Sequence, residues 1–325
     1  MDQKINKSFG SLFEDLNGVP FSPESESIND SSVSLTDEMD HLILMHRDAH
    51  FGADFQVMLD YYQNENHIGI DPDVDPFRIQ YLQQVEQQMG ADLAPLILSA
   101  AEAEMVGRCR AAYSSFKDIY DQPEETISSA RLLADLILSE EEEPIQAIEA
   151  IVANSELMFP HLIELTRSDE AYSPFFPGYG YAPYLAALCL GKIKNPEALV
   201  PLFNIFHKEC VFSDEVLLDA FAEIGVPAKI FLMNRLNGRP LTHDNMHAAF
   251  ALSVFAQDSQ VAQLALKNLQ DVNVQRSSLL CSYLLCLCDE LQKMPEKDDL
   301  IALGNKANIP KELHMQIKNL VRDWH

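Results

Sequence analysis

Between Tyr181 and Phe206 the chain reads YAPYLAALCLGKIKNPEALVPLFNIF, with its apolar positions at helical spacing. Leu185, Leu188 and Cys189 share one face, with small Ala186 and Ala187 between them. Leu199, Leu202, Phe203 and Phe206 then stand at i, i+3, i+4 and i+7, which puts all four on one helical stripe. Gly191 near the end of the first segment and Asn195-Pro196 before the second are helix punctuation. The pattern predicts two short helices back to back. Helices this short cannot bury their stripes alone, so each pair needs a neighbouring pair.

The neighbours are legible. Gly225 follows Gly191 by 225 − 191 = 34 residues, and Phe221-Ala-Glu-Ile224-Gly225-Val-Pro227 echoes Leu188-Cys-Leu-Gly191. Downstream, Met246, Ala249 and Phe250 precede a break at Gln257-Asp258-Ser259, then Val261, Leu264 and Ala265 resume the stripe. Upstream, Ile145, Ile148 and Val152 precede Asn154-Ser155-Glu156, then Phe159, Leu162 and Ile163. Pro160 and Pro201 hold matching places early in second helices. Four helix pairs are expected, with Leu202 and Phe203 in the core.

Leu185-Ala-Ala-Leu-Cys-Leu-Gly191 followed by Asn195-Pro196-Glu-Ala-Leu199-Val-Pro201-Leu resembles the HEAT and phycobilin-lyase-type HEAT-like repeats. The resemblance spans roughly Pro144 to Leu269 and extends to a bacterial family of unknown function built on such repeats. It implies an all-α fold, a right-handed α-solenoid of antiparallel helix pairs, and a binding scaffold rather than a catalyst. Members of that kind can carry a zinc-binding SEC-C tail. No Cys follows Cys288, so no metal role carries over.

Around these repeats, four segments are expected. Residues 1–35 are rich in Ser, Asn, Asp and Glu and read as a disordered tail with a short helix at Phe9 to Leu16. Residues 36–122 read as an N-terminal helical subdomain. Thr36 caps its first helix, a second segment ends at Tyr62, a helix over Phe77 to Met89 stops at Gly90, and Asp92 caps Leu93 to Met105. Residues 123–276 hold the repeats, entered by a helix over Glu124 to Glu142. Residues 277–325 are capping helices: Ser277 to Leu291, Asp298 to Leu303, and an amphipathic last helix from Pro310.

Charge narrows the partners. The 325 residues hold 23 Lys and Arg against 50 Asp and Glu, a net charge of −27. That repels phosphate backbones and anionic membrane surfaces and suits a basic protein partner. No apolar run is long enough to span a membrane, and no secretory signal is seen, so a cytoplasmic protein is expected. The alternative is export by a route independent of a signal peptide, with the tail as its address. Six cysteines in apolar helical settings, none at zinc-finger spacing, fit buried free thiols.

Candidate chemistry lies in two places. The insertion from Asp169 to Tyr184 sets Tyr172, Phe175, Phe176, Tyr179, Tyr181 and Tyr184 among Pro and Gly. Rigid aromatics in a repeat insertion suit interface anchors. The competing reading is that these rings fold back to fill a gap between helices. At Glu38 to Asp54, Glu38 and His41 form E-x-x-H, and His46, His50 and Asp54 share one face if the helix runs on. Arg47 stands where the helical zinc-protease motif needs Glu, and no second E-x-x-H supplies a di-iron set. His243 and His247 are also i, i+4, but beside Thr242 and Asp244 they read as helix-start residues. Asp71, Asp73 and Asp75 lack the Gly and Glu of a calcium loop. The sequence therefore predicts a non-enzymatic scaffold for protein–protein interaction with no cofactor. The alternative is a metal-dependent enzyme using the N-terminal His and carboxylate cluster.

Overall fold

A computed structural model describes residues 38–63, 67–121, 128–208 and 210–324. Among them the protein is all-α: 17 α-helices joined by loops and 3-10 turns, 72% helical, with no strand. The expected tail, its Phe9 to Leu16 helix, the Thr36 cap and the Glu124 start all lie outside the described residues. The chain forms two compact units. The first runs to Cys189 and takes in 210–212; the second comprises Leu190–Lys208 and everything from Ser213.

In the first unit, α1 (Glu38–His50) packs on α5 (Ala100–Tyr120), and α2 (Phe55–Tyr62) on α3 (Pro76–Met89). Asp75 caps α3 ahead of Pro76, and Gly90 closes it in the left-handed region at φ 65°. Ile43, Leu44, Phe55, Met58, Ile79 and Leu82 form the apolar centre. The expected Leu93 to Met105 helix is two elements. Short α4 (Ala94–Ile97) stops at Leu98, and Ser99 begins α5 with a capping box in which Glu102 returns to the Ser99 N–H at 2.7 Å. That reciprocal cap satisfies donors a continuous helix would not expose. The unit continues with α6 (Ser129–Ile137), α7 (Ile145–Ala153) and α8 (Ser155–Arg167), each touching the other two.

Two arginines bind this unit internally. Arg47 is fully buried and donates to Asp48 at 2.7 Å, Glu86 at 2.6 Å and Asp92 at 2.7 Å, with its plane over Phe55. Glu86 and Asp92 also accept the N–H groups of Leu93 and Ala94, so the network closes the α3–α4 corner. Arg78 meets the buried carboxylate of Asp40 with two bonds, 2.6 and 2.7 Å.

The second unit holds the end of α9 (Ala182–Ile193), then α10 (Leu199–Ile205), α11 (Glu215–Ile224), α12 (Val226–Leu236), α13 (His243–Ala251), α14 (Ser259–Leu269), α15 (Ser278–Cys286), α16 (Lys297–Gly304) and α17 (Lys311–Asp323). Contacts run between sequence neighbours and also between α11 and α13, α13 and α15, and α15 and α17. The two echoing glycines do different work. Gly191 lies inside α9, where a Cβ would stand 2.8 Å from the Ala220 backbone, so it permits close helix approach. Gly225 sits between α11 and α12 at φ 76°, a turn that favours glycine. Leu202 and Phe203 are core, 0% and 1% exposed. Leu202→Ala is expected to cost about 2–5 kcal/mol in chemical denaturation; a loss below about 0.5 kcal/mol would show that the site collapses freely.

The stripe of α7 turns differently from expectation. Ile148 and Ile151 are buried, but Ile145 is 62% exposed. The C-terminal apolar helix ends at Cys286, is followed by a 3-10 turn at Asp289–Lys293, and leaves Cys286 exposed. The other cysteines are wholly or partly buried, and all six are free thiols. No helix among the described residues is long and apolar enough to cross a membrane.

Candidate functional site

The aromatic insertion is set by three successive left-handed residues: Gly178 at φ 82°, Tyr179 at 54° and Gly180 at 81°. A Cβ at Gly178 would stand 2.9 Å from the Ile137 carbonyl, and one at Gly180 2.8 Å from the Tyr172 carbonyl. Only glycine fits either place. Tyr179 tolerates the strained φ because its ring is driven into the first unit, against His46, His50 and Tyr61. Gly69 makes room for it: a Cβ there would run into the Tyr179 ring.

Behind the ring lies a closed polar cluster. His50 Nε2 donates to the Pro174 carbonyl at 2.9 Å, which leaves Nδ1 to accept from the Tyr113 hydroxyl at 2.9 Å. His46 Nδ1 pairs with the Tyr62 hydroxyl at 3.0 Å. Tyr61 is hydrogen-bonded to Tyr179 and to Glu140, and accepts the Gly69 N–H at 3.3 Å. Glu140 reaches this group from a backbone position at φ 53°. Burial holds the His46 pKa down to about 4. Burial, with His46 alongside, holds His50 down to about 3. Burial likewise raises the Tyr179 and Tyr113 hydroxyls, and pushes Tyr61 up to about 12.

Both histidines are therefore neutral in the fold, and below about pH 6.5 they take up protons when it opens. With the folded pKa below the unfolded value, the unfolded chain binds more protons, and stability rises with pH through that window. It is complete above about 6.5 and is lost as pH falls toward 4. Lowering pH from 7 to 5 is expected to cost on the order of 2 kcal/mol for each histidine. Urea denaturation at the two pH values, for the native chain and for His46→Gln, measures it. The variant should lose less on acidification.

The six expected anchors divide. Tyr172, Phe176 and Tyr179 are buried, 7%, 6% and 5% exposed. Tyr172 donates to the Thr166 carbonyl at 2.8 Å and stacks on Phe212. Tyr181 and Tyr184 are half-buried and also meet Phe212. Phe175, half-buried, borders an open pocket of about 410 Å³ with Glu38, His41, Leu42, Met45 and Glu102. In it His41 Nδ1 meets Glu102 at 3.0 Å, and Ser99 and His41 hold the Glu102 pKa below the ordinary carboxylate range. Leu42, Met45 and Phe175 supply its apolar lining, and Glu38 and Glu102 its carboxylates. Glu102 escaped the sequence reading although Ser99-x-x-Glu102 spells a capping box.

Of the weak metal candidates, His46 and His50 stand together, ring centroids 4.9 Å apart, but Asp54 does not join them. α1 ends at His50, Gly52 and Ala53 take positive φ, and Asp54 turns away to cap α2 through the Gln56 and Val57 N–H groups. The shared face of His46, His50 and Asp54 therefore does not form. Among the described residues no group of three or more His, Cys, Asp or Glu side chains is placed to hold a metal ion. Compared with known proteins, the chain matches no family model, no curated protein and no solved structure.

Proposed function

We propose that this chain is a non-catalytic helical-repeat protein, built of HEAT-like helix pairs in an α-solenoid, that holds a basic protein partner. One observation carries the reading: Phe175 lines a pocket that the carboxylates of Glu38 and Glu102 also line, in a chain of net charge −27. An apolar ring beside Glu38 and Glu102 suits a partner segment presenting an aliphatic or aromatic side chain next to a cation. The next-but-one helix contacts of the second unit support the repeat arrangement, since stacked pairs bring alternate helices together. The buried half of the loop supports it too, because it fixes the backbone on either side of Phe175.

Affinity capture from the native cell, read by mass spectrometry at low and at high salt, tests the proposal. Basic proteins retained at low salt and released as salt rises are expected. Metal analysis of the purified chain addresses the alternative of a metal-dependent enzyme. Stoichiometric zinc or iron together with no salt-sensitive partner would replace the present reading by that one.

A further inference from the structure

A second hollow lies in the first unit, between α6 and α7, with a volume of about 580 Å³. Its apolar lining includes Leu132, Pro144 and Ile145. Ile145 is the residue that the helical spacing assigns to the core and that the fold leaves 62% exposed. An isoleucine at the mouth of a groove is an unfilled contact. The corner before it supplies charge of one sign. Glu140 turns to the Tyr61 hydroxyl, while Glu141 and Glu143 line the groove. Asp135 also lines it, but is engaged by the Tyr120 hydroxyl at 2.7 Å and by Arg131 at 3.3 Å. The uncompensated charge is thus that of Glu141 and Glu143, both exposed and beside apolar surface.

We infer that this groove takes a basic amphipathic segment of a partner protein, with an aliphatic side chain on Ile145 and Leu132 and lysines or arginines against Glu141 and Glu143. The inference rests on the reading of the chain as a binder of a basic protein, and adds a second, separate place of contact. Charge complementarity selects the occupant. A nucleic acid or an acidic segment would meet Glu141 and Glu143 with like charge, and a purely apolar one would leave them desolvated without a partner.

The test uses the full chain and a fluorescein-labelled short peptide of lysines and leucines spaced for one helical face, read by anisotropy. A peptide of equal charge with serine for leucine, and one with glutamate for lysine, are the controls. The Lys–Leu peptide is expected to bind best. The triple variant Glu141→Gln, Glu143→Gln, Ile145→Ser should weaken it about tenfold. All three positions are exposed, and circular dichroism checks that the variant is folded. Equal binding of the Lys–Ser peptide would reduce the interaction to bulk charge and overturn the groove. So would unchanged affinity in the triple variant, or no binding of the Lys–Leu peptide at all. Phe175→Ala is measured in parallel. Binding lost there and kept in the triple variant would sink the groove while leaving the Phe175 pocket as the contact.

Discussion

The Phe176→Ala, Tyr179→Ala chain is expected to lose at least about 4 kcal/mol of stability, enough to lower its urea midpoint sharply. Each ring is almost wholly buried, and truncating one buried aromatic ordinarily costs about 3–5 kcal/mol. The two stand three residues apart in one loop, so their costs should not add fully. Tyr179 has more to lose than area. Its removal strips Tyr61 of a hydrogen-bond partner, uncovers His50, and keeps a side chain at φ 54° with nothing to hold it there. Tyr179→Phe separates these effects. It keeps the packing and removes the hydroxyl, and should cost about 1–2 kcal/mol. A double variant that melts like the native chain would mean that the loop stands away from the helices.

Arg47→Ala is the second large effect, expected at about 3–5 kcal/mol. The guanidinium is fully buried and satisfies three carboxylates within 2.7 Å. Without it, buried Asp48 and partly buried Glu86 lose their cation, while Asp92, 51% exposed, keeps water. Arg110 still reaches Asp48 at 3.1 Å and acts on Asp92 from farther off. Lysine is not a substitute, because one ammonium cannot meet three acceptors in a plane. Arg47→Lys should therefore recover less than half of the loss. Because the penalty is that of unmatched carboxylates, Arg47→Ala should be partly rescued in a chain that also carries Glu86→Gln and Asp92→Asn. Equal stability of the native and Arg47→Ala chains would show that water reaches the carboxylates.

Much of the helical organisation was legible because it is local. Gly90 ends α3, Gln257-Asp258-Ser259 marks the break before α14, and the i, i+3, i+4 stripe picks Leu202 and Phe203 as core. Each rests on residues a turn apart, so spacing alone decides it. What escaped depends on distance along the chain or on choices between equivalent faces. Arg47 meets Glu86 and Asp92 some 39 and 45 residues away, and nothing in a run of charges announces that pairing. Ile145 fits the stripe of α7 as well as Ile148 does, yet the helix buries Ile151 instead. The composition of the aromatic loop singles it out, but composition does not say which way a ring points. Gly178 and Gly180 held the clue. Flanking glycines in tight contact with Ile137 and Tyr172 turn Tyr179 inward and leave Phe175 beside the pocket. The E-x-x-H of Glu38 and His41 does mark a pocket, but its third member, Glu102, comes from α5 and serves that helix as a cap.

On the function proposed above, a basic partner is held through Phe175 and the carboxylates of Glu38 and Glu102 in the same pocket. Quantitative capture from the native cell with the native chain and with Phe175→Ala, alongside the melting temperature of each, tests it most directly. The ring is half-buried, so melting should move by no more than about 3 °C. The salt-sensitive basic proteins retained by the native chain are expected to be depleted on Phe175→Ala. The same proteins, recovered in the same amounts on both baits, would contradict it.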